Sequence, residues 1–213
     1  MILKVPKARF MTTSALVAVL LVFAPVTSAA HAEDGSINGW DKDLFIAAAV
    51  EVGGLTDDKA EEVWGDERLM SAVGVQSETV TTKTERAPTA GDLGESAEHG
   101  FVPLTMMNTV HDRTVTNIFG HVVRQLIVYK DFACGSDSFR VLSTSYSVDA
   151  NSTIGESFTG LAGSQDYFNG ARTSHTTFRN AHFQNLLVPG SSNLWVEITV
   201  TSGCGVTKSA GGQ

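Results

Sequence analysis

Residues 194–201 read Leu194-Trp195-Val196-Glu197-Ile198-Thr199-Val200-Thr201, and this stretch decides the fold. Leu194, Val196, Ile198 and Val200 fall on one side of an extended chain; Trp195, Glu197, Thr199 and Thr201 fall on the other. Strict alternation of this kind marks a half-buried β-strand, because successive side chains of a strand point to opposite faces. Working back from it, residues 173–187 alternate over a long span and end at Pro189-Gly190. Asn169-Gly170 is a hairpin signal, since both residues tolerate positive φ. Further strands are expected over 156–161, 139–148 and 121–132, the last apolar on both sides and so central in its sheet. That makes five or six strands without helical crossovers. The expected body, residues 101–213, is mainly β: an antiparallel β-sandwich or small barrel preceded by a short helical segment.

The chain has two cysteines, Cys134 and Cys204, and they bracket most of these strands. In an oxidising compartment they have one way to pair. A bridge between them closes a loop of about 70 residues and contributes about 4 kcal/mol on the chain-entropy account. The other reading is two buried free thiols. Neither cysteine sits in a CxxC pair, so thiol redox chemistry and sulfur-bound zinc have no sequence support.

Residues 1–32 carry the marks of an export signal. Lys4, Lys7 and Arg9 precede the apolar run from Ala15 to Val26, and Ala30-His31-Ala32 places small residues before a cut at Glu33. An uncleaved anchor is the rival reading. No second apolar run reaches spanning length, so a secreted, extracellular product is expected. Residues 33–74 read as an acidic helical segment. Asp41 and Thr56 are N-cap candidates, Gly53-Gly54 and Gly65 are stops, and a third short turn covers 66–73. Residues 75–100 lose the apolar pattern and read as a linker, with one faint strand over 79–84. Residues 33–98 hold 16 acidic and 5 basic side chains, a net of −11, whereas residues 99–213 hold 7 of each. With no basic stripe there is nothing to neutralise phosphates, which speaks against a nucleic-acid partner and against adhesion to anionic lipid.

Tyr129-Lys130-Asp131-Phe132-Ala133-Cys134 forms a K-x-aromatic-x-C strand end, and Thr173-Ser174-His175-Thr176-Thr177-Phe178 a Ser-His strand. With the export signal and the acidic helical segment, this layout resembles small secreted proteins of unknown function from actinobacteria. The resemblance implies a cysteine-stapled β-sandwich, and it implies no catalytic residues. Many such proteins carry four cysteines where this chain has two.

No catalytic constellation, metal site or cofactor is expected. No histidine pair has the i, i+4 spacing of a helical zinc site, and GxSxG does not occur. His175 and His182, seven apart, should face opposite sides of a strand. A convergent hydrolase would have to assemble around His111, His121 or His175. Carboxylates of the β-body fall mostly in turns; Glu197 is the outward one on a strand, next to Trp195. Trp195, Glu197 and Thr199 are therefore the candidate binding face, suited to stacking a sugar. The plainer reading has Trp195 covered, with the acidic helices expected over it. The functional expectation is a secreted non-catalytic module that binds a protein or glycan surface. The alternatives are a small exported hydrolase, and a proprotein whose acidic segment is processed off.

Overall fold

The computed structural model of the chain describes residues 36–97 and 100–212, with the backbone alone for 95–97. The leader read over residues 1–32 lies outside the described residues, as does His99.

Three short helices open the described chain: α1 (Lys42–Glu51), α2 (Asp57–Val63) and α3 (Glu67–Ser71). Each begins at a side chain that satisfies otherwise unpaired amides. Asp41 accepts from the Leu44 amide, Thr56 from Lys59, and Asp66 from Arg68 and Leu69. Helices of this length are marginal alone. They bury Phe45, Ala49, Ala60, Val63 and Met70, with the Phe45 and Trp64 rings 5.3 Å apart.

The rest of the chain is a β-sandwich of two four-stranded antiparallel sheets. The first holds β1 (Gln76–Arg86), β2 (Thr105–Thr116), β3 (Val122–Cys134) and β4 (Phe139–Ala150); α4 (Ala90–Ala97) lies between β1 and β2. The second holds β5 (Glu156–Phe168), β6 (Ser174–Asn185), β7 (Gly190–Thr201) and β8 (Val206–Gly211). Both are meanders in chain order, joined through a single turn of 3-10 helix at Ser152–Ile154.

Three expectations change here. Among the described residues there are eight strands rather than five or six. The segment expected to be a tether supplies β1, paired along its whole length with β2. Its side chains are polar apart from Val80 and, Ser77 aside, exposed, so no apolar face announced it. Residues 105–115, whose sequence is ambiguous between a turn of helix and coil, form most of β2; polar Thr109 and His111 occupy inward positions and blur the alternation.

The core follows the alternation. Leu194, Val196, Ile198 and Val200 are all fully buried. The first three join Val115, Leu126, Val128, Ala181 and Phe183 in one apolar cluster. Val200 belongs to a second cluster with Met107, Phe132 and Cys134. The Cys134–Cys204 disulfide is formed, with Cα atoms 5.8 Å apart. It ties the end of β3 in one sheet to the β7–β8 turn of the other. Lys130, fully buried, separates the two apolar clusters along β3.

The helices close one end of the sandwich. Asn117 donates to the Ser71 carbonyl at 2.7 Å, Asn185 to Ala72 at 3.1 Å and Arg124 to Val52 at 3.2 Å. Leu194 and its inward neighbours thus meet the opposite sheet, and the helices dock at the strand ends.

Candidate functional site

Three polar features stand out against this frame: a seam cavity, a charged cluster between the sheets, and the outer face of the second sheet.

The seam cavity, about 170 Å³, lies between helices and strands and is lined by Gly53, Gly54, Gly74, Arg124, Glu156 and Asn185, among others. Arg124 and Glu156 are 3.4 Å apart and almost wholly buried. Asn185 donates to the other Glu156 oxygen at 2.9 Å. Burial pushes the Arg124 guanidinium below its ordinary value, and Glu156 pulls it back. The pair is tied to the helical cap by the Arg124 bond to the Val52 carbonyl and by the Asn185 bond to the Ala72 carbonyl, and so works as a strut.

Between the sheets, the Lys130 ammonium donates to His175 Nδ1 and to the His175 carbonyl at 2.9 Å each, and to the Ile198 carbonyl at 3.2 Å. All three of its N–H donors are used. Burial lowers the amine from 10.5 to about 8; Asp166 raises it and Arg179 lowers it further. Arg179 pairs with Asp166 at 2.5 Å, and its guanidinium lies 6.0 Å from the centre of the Tyr146 ring. His175 is pushed down by burial first and by Lys130 second. Since Nδ1 accepts from an ammonium, the ring carries its proton on Nε2.

His111, inward on β2, is 2.6 Å from the Thr81 hydroxyl through Nδ1, while its Nε2 is buried without a partner. His121 lies in the β2–β3 turn beside Phe119, ring centres 6.4 Å apart. The three histidines of the hydrolase reading therefore occupy separate places. The bonded side-chain partners of His111 and His175 are Thr81 and Lys130, with no serine among them.

The outer face of β5–β8 carries the residues singled out from sequence. Register places Trp195 between Asn180 of β6 and Gly211 of β8, Glu197 between Phe178 and Ser209, and Thr199 between Thr176 and Thr207. Trp195 and Phe178 are both half-buried, with ring centres 6.3 Å apart and planes inclined by 33°. A Cβ on Gly211 would stand 2.9 Å from the indole, and one on Gly163 of β5 would stand 3.2 Å from the Phe178 ring. Each ring thus lies across a glycine of the adjoining strand, Trp195 toward β8 and Phe178 toward β5. The acidic helices, expected over Trp195, dock instead at the strand ends, and Trp195 meets Phe178 and Gly211.

Hydroxyls and amides surround the rings. Thr176 and Thr199 bond through their hydroxyls at 2.7 Å, and His182 Nδ1 meets Asn193 Oδ1 at 3.0 Å. Asn180 Oδ1, next to Trp195, is buried without a partner. A shallow depression of about 390 Å³ runs on beside them, lined by Thr159, Gly160, Leu161, Ala162, His182 and Asn193. Two register shifts in β5, at Phe158/Gly160 and Leu161/Gly163, set its floor. His182 faces outward here and His175 inward, as their spacing requires.

Sequence reasoning reached Trp195, Glu197 and Thr199, and missed Phe178, Asn180, His182 and Asn193. Phe178 and Asn180 were discoverable as outward residues of 173–187, but their register against Trp195 was not. Among the described residues, no helix is long and apolar enough to cross a membrane, and no three His, Cys, Asp or Glu side chains converge as a metal cage. Comparisons of the chain with protein-family models, with curated proteins and with solved structures found no match.

Proposed function

We propose that this chain is an exported, non-catalytic binding module that holds a glycan on the outer face of β5–β8. One observation carries the reading: Trp195 and Phe178 lie across glycines on a face otherwise made largely of Thr, Ser, Asn, Gln and His, with Glu197 and Tyr167 among them. An aromatic plane fringed by hydroxyls and amides matches a sugar ring, which has one apolar face and a polar rim. The leader read in the sequence and the disulfide support an extracellular setting. The separation of His111, His121 and His175 gives the hydrolase alternative no assembled site. Three partly buried hydrogen bonds and β1 join the acidic segment to the body, which weighs against its removal as a propeptide.

The test is retention of the purified protein on insoluble polysaccharides, compared with Trp195→Ala and Phe178→Ala. Both variants should lose retention while keeping the wild-type melting temperature within a few degrees. Wild-type retention by Trp195→Ala defeats the proposal.

A further inference from the structure

Among the described residues, Glu197 is the one Asp, Glu, Lys or Arg side chain that alternation and register place on the outer face of β5–β8, where His182 is the other titratable group. Arg179 and Lys208 of the same strands point inward: Arg179 to Asp166, Lys208 opposite Ile198. The Glu197 carboxylate has no ion-pair or hydrogen-bond partner among the described residues. It stands directly across from Phe178 and two residues along β7 from Trp195. Side chains so related are neighbours on one face, with Cβ atoms about 5 Å apart across the strands. An unpaired carboxylate next to two half-exposed aromatic rings is a cation site: the ring faces attract positive charge, and the carboxylate supplies the counter-ion.

Resting on the glycan reading above, we infer that this face selects amine-bearing sugars, its Glu197 carboxylate taking the ammonium while Trp195 and Phe178 stack on the ring. The half-buried Thr199 and the exposed Thr207 and Ser209 of β8, which flank Glu197 on the same face, are placed for the sugar hydroxyls. Uronic or sulfated glycans would bring a second anion against Glu197 with no outward Lys or Arg to receive it. The net charge of −11 over residues 33–98 favours approach of a polycation at low salt. These residues are not needed for the selection itself.

The experiment titrates the whole protein with glucosamine oligomers and with N-acetylglucosamine oligomers of equal length, at low and high salt. Wild type should bind the free-amine form about tenfold more tightly, the size expected for a hydrogen bond to a charged group. Glu197→Gln should bring the two forms level, and Trp195→Ala should abolish binding of both. Equal wild-type affinities, or a preference that survives Glu197→Gln, overturns the inference and leaves the glycan reading standing. Absence of binding to either oligomer overturns the inference, and overturns the glycan reading as well only if retention on insoluble polysaccharides is also absent. Glu197-dependent binding of oligolysine without sugar binding also overturns both, in favour of a basic protein partner.

Discussion

Lys130 and His175 share two hydrogen bonds across the sandwich: the ammonium of one strand donates to both the ring and the carbonyl of a single residue in the opposite sheet. The pair lies between the two apolar clusters, so the core is joined at its middle by a charge.

That charge makes stability depend on alkaline pH. Lys130 in the folded chain loses its proton near 8, against 10.5 for an unperturbed lysine. Between those values the unfolded chain binds more protons, so the Lys130 contribution to stability rises with pH across that window. Below it, the cost of burying the charge is fully present. Lys130→Met should keep the fold and lose this rise, seen as a difference in melting temperature between the two proteins from pH 7 to pH 10.

Acid should act through the inward histidines. Burial lowers both: His175, where Lys130 lowers it further and Asp166 raises it, and His111, where Lys208 lowers it further and Asp112 raises it. Both bind fewer protons in the folded chain than a free imidazole, which is half-protonated at about 6.5. The unfolded state then binds more protons, and stability falls as pH drops through that value. Chemical denaturation at pH 7.5 and pH 5.5 should show a smaller loss for His175→Gln than for wild type.

Removing half of the buried seam pair should be costly. Arg124→Ala leaves Glu156 charged and buried beside the helix docking site, at a cost of about 3–5 kcal/mol. Arg124→Met with Glu156→Gln should recover much of that loss, because no lone charge remains. Urea midpoints of the two variants decide it, and equal midpoints count against the seam as a paired strut.

A methyl group on β8 should disturb binding from beneath. In Gly211→Ala the new Cβ stands 2.9 Å from the indole, so Trp195 must lift from the sheet. Retention on polysaccharide should fall with little change in melting temperature. Gly203→Ala, whose Cβ meets nothing within 4 Å, should behave as wild type.

Much of this was legible wherever burial was one-sided. Leu194 to Val200 alternate because a single face meets the opposite sheet, and the caps of α1 and α2 were readable because capping is local. Gln76–Arg86 was not legible: exposure on both faces removes the selection that produces alternation. Lys130 was not legible as a core residue, since its acceptors lie 45 and 68 residues along the chain. The glycan face fared between the two. Trp195 and Glu197 announced themselves, whereas the glycine beneath the indole belongs to β8, a strand absent from the sequence reading.

Two meanders in chain order carry a kinetic consequence. Each sheet is closed by hairpins between neighbours in sequence, so either half can zip up before it meets the other. Loop-closure entropy is thereby kept small for an all-β chain, which speeds folding. The late event is the meeting of the halves, and Cys134 and Cys204 sit one in each. Thiol alkylation during oxidative refolding thus serves as a clock for sheet docking rather than for strand formation.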